Sequence, residues 1–153
     1  MYRIWVISWI FLSCVLARRR RSLQTRTLPV AQKQLPNCNN CYAVVAYDIL
    51  KYYNPKLNIS IETLMQDSHQ NCAGGSVTKI LNLYTASTVT TANLPKLIRL
   101  IRKGPVAIAS EKGHLVTAIS ATKHGVLVRD PRDASTKVLP HKTFFNYVAY
   151  VKR

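Results

Sequence analysis

The stretch that decides the fold is NCNNCYAVVAYDIL, residues 37–50, where two cysteines three positions apart precede a long apolar run. A run from Cys41 that is apolar on nearly all sides is typical of a buried helix rather than an amphipathic surface helix. Asn39 or Asn40 can cap this helix, and NPK at 54–56 ends it. The two thiols could be metal ligands, a redox pair, a structural cysteine beside a reactive one, or simply core.

The composition indicates one globular domain. The chain has 153 residues, and 48% of them are apolar, which is enough for a core and excludes wholesale disorder. There are 22 Lys and Arg against 6 Asp and Glu, a formal charge of +16. This balance favours acidic partners, but the basic residues are scattered and few aromatics lie between them. We therefore expect no specific nucleic-acid site and at most a weak association with anionic surfaces.

The beginning of the chain has the pattern of a targeting segment. Residues 4–17 are apolar or small, which is too short for a comfortable transmembrane helix of about 20 residues and suits the apolar region of a signal peptide. Four arginines at 18–21 follow, and positive charge tends to stay in the cytoplasm. Residues 1–17 are therefore predicted to be a signal peptide, with a short membrane anchor as the alternative. We expect a secreted protein or one in the secretory or endolysosomal lumen, with residues 18–31 as a basic lead-in.

Export changes the number of cysteines that must be explained. Loss of Cys14 with the signal peptide leaves Cys38, Cys41 and Cys72. In an oxidising compartment two of the three pair and one is left over. Because a bridge between cysteines three apart is strained, Cys38 or Cys41 should pair with the distant Cys72. The remaining thiol is a candidate for reactivity.

The patterns after the first helix change from helical to extended, which predicts an α+β fold. Ser60 is a good N-cap for a second helix, and Pro95 and Gly104 bracket another with the usual asymmetry. The predicted helices are CYAVVAYDILKYY, SIETLMQDS, SVTKILNLYT and LPKLIRLIRKG; the predicted strands are PVAIAS, HLVTAIS, GVLVRD and YVAYVK.

Five segments, taken in order, resemble the papain-like cysteine peptidases, cathepsins included. CNNCYA is similar to the family's nucleophile motif C-x-x-C-W-A, with Tyr42 in place of Trp. SIETLMQDSHQNCAGG is similar to the segment that ends in G-C-N-G-G, and KGPVAIAS to the family's K-G-P-V segment. GHLVTAIS and GVLVRDP are similar to the strands that carry the catalytic His and Asn. The resemblance covers residues 32 to about 131.

The resemblance implies a minimal papain-like peptidase domain over residues 32–153, with a helical lobe packed on a small antiparallel β-sheet or barrel. Cys41, at a helix start where the dipole favours thiolate, is the predicted nucleophile. His114 is the predicted general base and acid, and Asp130 holds its ring. The side chain of Gln34 and the backbone N–H of Cys41 are predicted to bind the oxyanion.

The remaining roles follow in the same way. The resemblance implies a disulfide between Cys38 and Cys72, and Gly74 and Gly75 should let an extended peptide approach closely. Peptide bonds are then hydrolysed through a thioester on Cys41, with no cofactor and no metal, by a protein that we expect to be a monomer. The substrate is a protein or peptide.

The sequence departs from the family in several places. Large loops between the Cys41 and His114 segments are missing. Gln34 lies one residue further from the nucleophile than usual, which makes Gln32 the second choice. Asp130-Pro131 replaces the family's N-S-W-G, as in relatives such as the bacteriocin-leader peptidases.

Alternatives from other classes remain. Cys38, Cys41, His69 and Cys72 form two close-spaced pairs of soft ligands, which could hold a structural zinc ion in a basic binding module. An acyl transferase or isopeptidase, or an inactive papain-like binding protein, would use the same scaffold. The histidines that rival His114 in composition are His69, His124 and His141.

Overall fold

The structure, a computed structural model, describes residues 27–111, 113–140, 142 and 144–153. The predicted signal peptide or anchor, the arginine run at 18–21 and His141 lie outside the described residues. Within them the helices are α1 Cys41–Tyr53, α2 Ile61–Asp67, α3 Val77–Tyr84 and α4 Leu94–Ile101. The strands are β1 Ser87–Asn93, β2 Val106–Glu111, β3 His114–Thr122, β4 Gly125–Asp130, β5 Ser135–Leu139 and β6 Phe144–Val151. The α+β prediction is confirmed.

The six strands form one antiparallel sheet in the order β1-β6-β2-β3-β4-β5. All four predicted strands are present, while β1 and β5 were missed by the sequence patterns. These two are the edges of the sheet, and their sequences, STVTTAN and STKVL, are mostly polar. An edge strand has a solvated side and needs no continuous apolar run, so its pattern is weak.

Helices cover both faces of the sheet. Ala107 packs in a core cluster with α1, α2 and α3, whereas its neighbour Ile108 packs in a second cluster with Leu97 of α4. Successive strand residues face opposite sides, so the three N-terminal helices lie on one face and α4 on the other. Helix α1 is buried along most of its length, as its apolar sequence predicted.

Of the two helix caps that the sequence suggested, the one at the start of α2 is present and the one at the start of α1 is not. The Ser60 hydroxyl accepts from the backbone N–H of Thr63 at 3.1 Å, which caps α2. Asn40 occupies the N-cap position of α1, but its side chain makes no capping hydrogen bond. Instead its Oδ1 accepts from the backbone N–H of Leu35 at 3.1 Å. The buried Asn40 side chain therefore fixes the preceding loop against the helix.

A buried polar network joins α1 to the sheet and to the N-terminal lead-in. Asp48 of α1 accepts from the Thr117 hydroxyl at 3.0 Å and from Nη1 of Arg129 at 3.1 Å. The same Nη1 donates to the carbonyl oxygen of Pro29 at 2.8 Å. The network orients α1 on strands β3 and β4. Within the described part of the chain, no helix is long and apolar enough to cross a membrane.

Candidate active site

Cys41 is the first residue of α1 and carries a free thiol that is almost fully buried. Burial of the sulfur opposes the thiolate. The side-chain hydrogen bond and positive charge of His114, with backbone N–H groups of Leu115 and Tyr42, outweigh burial and lower the pKa of Cys41. The site is therefore built to hold a thiolate.

His114 and Asp130 are brought together by the pairing of two strands. His114 begins β3 and Asp130 ends β4, and because the strands are antiparallel neighbours, these two ends meet. Nε2 of His114 lies 2.7 Å from Oδ1 of Asp130, and both side chains are buried. This contact occupies Nε2, and the imidazole also interacts with the thiol of Cys41.

Cys41 and Asp130, the two neighbours of the imidazole, favour its charged form. The hydrogen bond with Cys41 raises the pKa of His114, burial opposes this, and the hydrogen bond and charge of Asp130 raise the pKa further. The nearby charge of Arg132 lowers it in part. The pKa values of Cys41 and His114 thus move towards each other, which favours a thiolate–imidazolium pair.

Asp130 is an ionised carboxylate although it is buried. Burial raises its pKa, but the ion pair with Lys137, the backbone N–H of Arg132 and the contact with His114 together lower the pKa to about 2. Asp130 can therefore accept from His114 and stabilise the imidazolium over the whole neutral range.

A cleft of about 500 Å³ opens at Cys41 and His114. One wall is the segment Ala73–Gly75 and the other comes from β2, β3 and β6. The lining residues are Asn39, Cys41, Tyr42, Ala73, Gly74, Gly75, Ala109, Gly113, His114, Leu115 and Tyr147. Both predicted substrate-binding glycines are thus beside the predicted nucleophile.

The two glycines do different things in this wall. Gly74 has φ +133°, where only glycine is comfortable, and a Cβ there would meet nothing within 4 Å. Gly75 instead packs so closely that a Cβ would lie 2.6 Å from the Tyr42 ring and 2.5 Å from Oε1 of Gln70. Gly74 leaves the cleft open, and Gly75 lets its wall approach α1.

A disulfide between Cys38 and Cys72 ties that wall to the loop before the nucleophile. The backbone N–H of Asn39 donates to the carbonyl oxygen of Cys72 at 2.9 Å beside it. The zinc-site alternative needed thiolates at both cysteines, and their sulfurs are consumed by the disulfide. Among the described residues no group of three or more His, Cys, Asp or Glu is arranged to hold a metal ion.

Neither predicted oxyanion glutamine lines the cleft described above. The backbone N–H of Gln34 donates to the carbonyl oxygen of Pro131 at 2.7 Å, which places this residue next to the Asp130 end of β4. Nε2 of the Gln32 side chain donates to the carbonyl oxygen of Val30 at 3.2 Å. The oxyanion role of Gln34 stays a prediction.

Sequence reasoning missed several residues of the site. Leu115 and Tyr147 line the cleft, and Lys137 contacts Asp130. Leu115 directly follows His114, so its place in the wall could have been inferred from the strand. Tyr147 and Lys137 come from β6 and β5, and no local signal connects them to the cysteine motif. The rival histidines His69 and His124 are exposed and lie outside the cleft.

Comparisons with known proteins reveal the fold and no sequence relative. No protein-family model matches the chain, and no curated protein matches it. The structure is similar to the peptidase domain of Streptococcus ComA, a bifunctional ABC transporter involved in a quorum-sensing pathway. The TM-score is 0.58 at 15% identity, over 78% of this chain and 95% of that one.

It is also similar to a double glycine motif protease from an AMS/PCAT transporter, solved in complex with the leader peptide. Here the TM-score is 0.54 at 14% identity, over 80% of this chain and 92% of the other. Identities this low show a shared fold rather than a shared activity. The chain has the papain-like fold in the short form of these peptidase domains.

Proposed function

We propose that this protein is a cysteine peptidase that hydrolyses peptide bonds through a thioester on Cys41. The observation that carries the proposal is the placement of Cys41 and His114 in one open cleft, with Nε2 of His114 2.7 Å from Oδ1 of Asp130 and the imidazole lowering the pKa of the Cys41 thiol. A nucleophile, a base and a group that orients the base are the parts that acyl transfer needs.

In the proposed reaction the Cys41 thiolate attacks the carbonyl carbon of the scissile bond. The resulting oxyanion collapses, the C–N bond breaks, and the His114 imidazolium gives its proton to the leaving amine. A water molecule then transfers a proton to neutral His114 and attacks the thioester, which releases the acid and regenerates the thiolate and the imidazolium. Asp130 stabilises the imidazolium throughout and is not itself protonated.

The oxyanion site is proposed at the start of α1. The backbone N–H of Cys41, the first residue of α1, is a helix N-terminal donor of the kind that stabilises developing negative charge. The Gln34 side chain is proposed as the second donor. Its backbone hydrogen bond to Pro131 supports a place on the catalytic side of the sheet.

The proposed substrate is an extended peptide lying along the Ala73–Gly75 wall. The solved structure of a similar protease with its leader peptide supports a peptide ligand in this fold. The open space over Gly74 leaves room for a substrate backbone at that wall. Because that neighbour is described as a double glycine motif protease, a peptide with a Gly-Gly pair is the first substrate to test.

The proposed location is an oxidising compartment, reached by export with residues 1–17 as the signal peptide. The Cys38–Cys72 disulfide supports this because such bonds persist in secreted and lumenal proteins. A membrane anchor formed by residues 4–17 would place the same domain at a membrane surface in that compartment.

The test has two parts. Folded, unreduced protein is treated with iodoacetamide and mapped by mass spectrometry, and its hydrolysis of a peptide library that includes Gly-Gly sequences is measured. We expect Cys41 to be labelled and Cys38 and Cys72 to stay unlabelled, and we expect peptide cleavage that Cys41→Ser abolishes without changing the melting temperature. Cleavage retained by Cys41→Ser would overturn the proposal.

The same experiment separates the alternatives. If the protein is an inactive binding protein, both the wild type and Cys41→Ser should bind library peptides, and neither should cleave them. An acyl transferase would release the amine product as the same thioester forms and would then pass the acyl group to an added amine such as glycine amide in preference to water. Either result would replace hydrolysis as the proposed reaction.

A further inference from the structure

The carboxylate of Asp130 has a second partner, on the oxygen that does not face His114. Nζ of Lys137 forms an ion pair with Oδ2 of Asp130, while Oδ1 accepts from Nε2 of His114 at 2.7 Å. The side chain of Lys137 is 44% exposed, whereas that of Asp130 is 2% exposed. The lysine thus brings a positive charge from the surface to a buried carboxylate.

Strand pairing places this lysine. β5 runs antiparallel to β4, with Lys137 opposite Val128 and Ser135 opposite Asp130. Residues two apart in a strand face the same side, so Lys137 is a diagonal neighbour of Asp130 on one face of the sheet. A long lysine side chain spans that diagonal, and a shorter side chain at 137 would not.

We propose that Lys137 is a positioning residue, which holds Asp130 in the rotamer that faces His114 and sets how strongly the carboxylate acts on the imidazole. A carboxylate paired with an ammonium group presents less net negative charge to its other neighbour. Lys137 therefore fixes the direction of the Asp130–His114 hydrogen bond and moderates its electrostatic effect. The catalytic consequence rests on the proposed function, whereas the effect on His114 does not.

The other charged groups that the structure describes around the imidazole do not contact the Asp130 oxygen that Lys137 binds. Arg132, in the turn after β4, lowers the pKa of His114 but is itself paired with Glu111 at the end of β2. The thiol of Cys41 faces the ring from α1. Further charged groups nearby are Asp133, which feels the charge of Asp130, and Lys142, which donates to the carbonyl oxygen of Ser110 in β2. None of these takes the place of Lys137 at Oδ2 of Asp130.

The first experiment measures His114 without the thiol. In the Cys41→Ser protein, the pH titration of the His114 ring is followed by proton–carbon NMR. Lys137→Met should raise the pKa of His114 by about half a pH unit or more, because the carboxylate loses its balancing charge. Lys137→Arg should restore the parent value, and 1 M NaCl should reduce the difference since the Lys137 side chain is 44% exposed.

Lys123→Met is the matched control. Lys123 lies in the turn between β3 and β4, at the opposite end of the same two strands from His114 and Asp130, and it is exposed. It removes the same charge from the protein without touching Asp130. A His114 pKa that is equal in Lys137→Met and Lys123→Met would overturn the proposal.

The second experiment asks whether positioning affects the reaction. In the protein with Cys41 intact, iodoacetamide labelling counts the competent sites. Per site, Lys137→Met should lower kcat about tenfold with KM unchanged, and the basic limb of the pH profile should move to higher pH. A rise in KM at unchanged kcat would overturn the positioning role. If the parent protein cleaves no peptide, the proposed function fails, and the NMR comparison still decides the role of Lys137.

Discussion

Nε2 of His114 lies 2.7 Å from Oδ1 of Asp130, so the imidazole is fixed by a carboxylate rather than by an amide. Asp130→Ala should lower kcat/KM by about 10² to 10³-fold, because the ring loses its orientation and the imidazolium loses its counter-charge. Asp130→Asn keeps an acceptor for His114 and should retain clearly more activity. Steady-state kinetics on one peptide substrate checks both variants. Equal losses would show that charge, not orientation, is what Asp130 supplies.

The Cys41–His114 pair predicts a particular pH dependence of thiol alkylation. His114 lowers the pKa of the Cys41 thiol, so thiolate is present at lower pH than in an ordinary cysteine. His114→Ala removes that effect and leaves burial, which raises the pKa of Cys41, opposed only by the backbone N–H groups of Leu115 and Tyr42. The rate of Cys41 alkylation by iodoacetamide should fall about tenfold or more at about pH 6.5, and the difference should shrink as pH rises. His124→Ala, on an exposed turn, is the control and should leave the profile unchanged.

For peptide hydrolysis, the lowered pKa of Cys41 and the raised pKa of His114 determine the two limbs of the pH profile. Activity should rise with pH as Cys41 loses its proton, at lower pH than for a free thiol. It should fall as the His114 imidazolium loses its proton, at higher pH than for a free imidazole, because its pKa is raised. A kcat/KM profile with one limb, rising through the ordinary cysteine range, would contradict the ion pair.

The Cys38–Cys72 disulfide should contribute substantially to stability. It closes a loop with a sequence separation of 34. The chain-entropy model gives a contribution of roughly 3 to 4 kcal/mol to the free energy of unfolding for a loop of this size. Urea unfolding of Cys38→Ser/Cys72→Ser, in a Cys41→Ser background that prevents disulfide exchange, measures the loss. Addition of dithiothreitol should destabilise the Cys41→Ser protein by the same amount and leave the triple variant unchanged.

The glycines of the cleft wall should respond differently to a methyl group. Gly75→Ala forces the Tyr42 ring or Gln70 to move and should cost roughly 1 to 3 kcal/mol of unfolding free energy. Gly74→Ala meets no neighbour but must hold φ +133°, so its cost is backbone strain. The double variant Gly75→Ala/Gln70→Ala shortens the Gln70 side chain and should recover part of the stability lost in Gly75→Ala. Adding Gln70→Ala to Gly74→Ala should recover none of the stability lost there. Additive losses in the double variant would contradict close packing at Gly75.

The buried carboxyl group of Asp48 should make the free energy of unfolding depend on pH. Burial raises its pKa to about 6, although Arg129 and Thr117 oppose this. The folded protein therefore binds a proton that the unfolded chain does not between the ordinary aspartate value and pH 6, so this group stabilises the fold as pH falls through that range. The gain in the free energy of unfolding reaches roughly 2 to 3 kcal/mol once the pH has fallen below the Asp48 pKa of both the folded and the unfolded chain. Asp48→Asn should remove this part of the pH dependence between about pH 7 and pH 4 in urea unfolding curves.

The sequence predicted the parts of the fold that have strong local patterns. The apolar run after Cys41 and the capped segment at Ser60 gave helices in the right places, and the central strands were recognised by their apolar residues. Strands β1 and β5 escaped because their edge positions tolerate polar residues. Asn40 is a predicted cap, but its side chain accepts from the Leu35 backbone instead. This contact depends on the path of the preceding loop, which no local sequence pattern encodes.

The site was predictable to the extent that its residues lie in motifs. The structure brings Cys41, His114 and Asp130 together, and the Cys38–Cys72 bond is present. Lys137 could not be foreseen, because its contact with Asp130 depends on the register of a strand that the sequence did not reveal. The position of Tyr147 in the cleft depends in the same way on where β6 inserts into the sheet.

The hydrogen bond from Arg129 to the Pro29 carbonyl has a practical consequence for making the protein. The Nε atom of Arg129 is buried and has no hydrogen-bond partner within the described residues. A recombinant form that starts after Pro29 would also remove the Pro29 carbonyl that accepts from Nη1 of Arg129. Arg129 directly precedes Asp130, the strand residue that orients the imidazole. Expression should therefore begin upstream of Leu28, and proteolytic trimming of this end should be monitored during purification by intact mass.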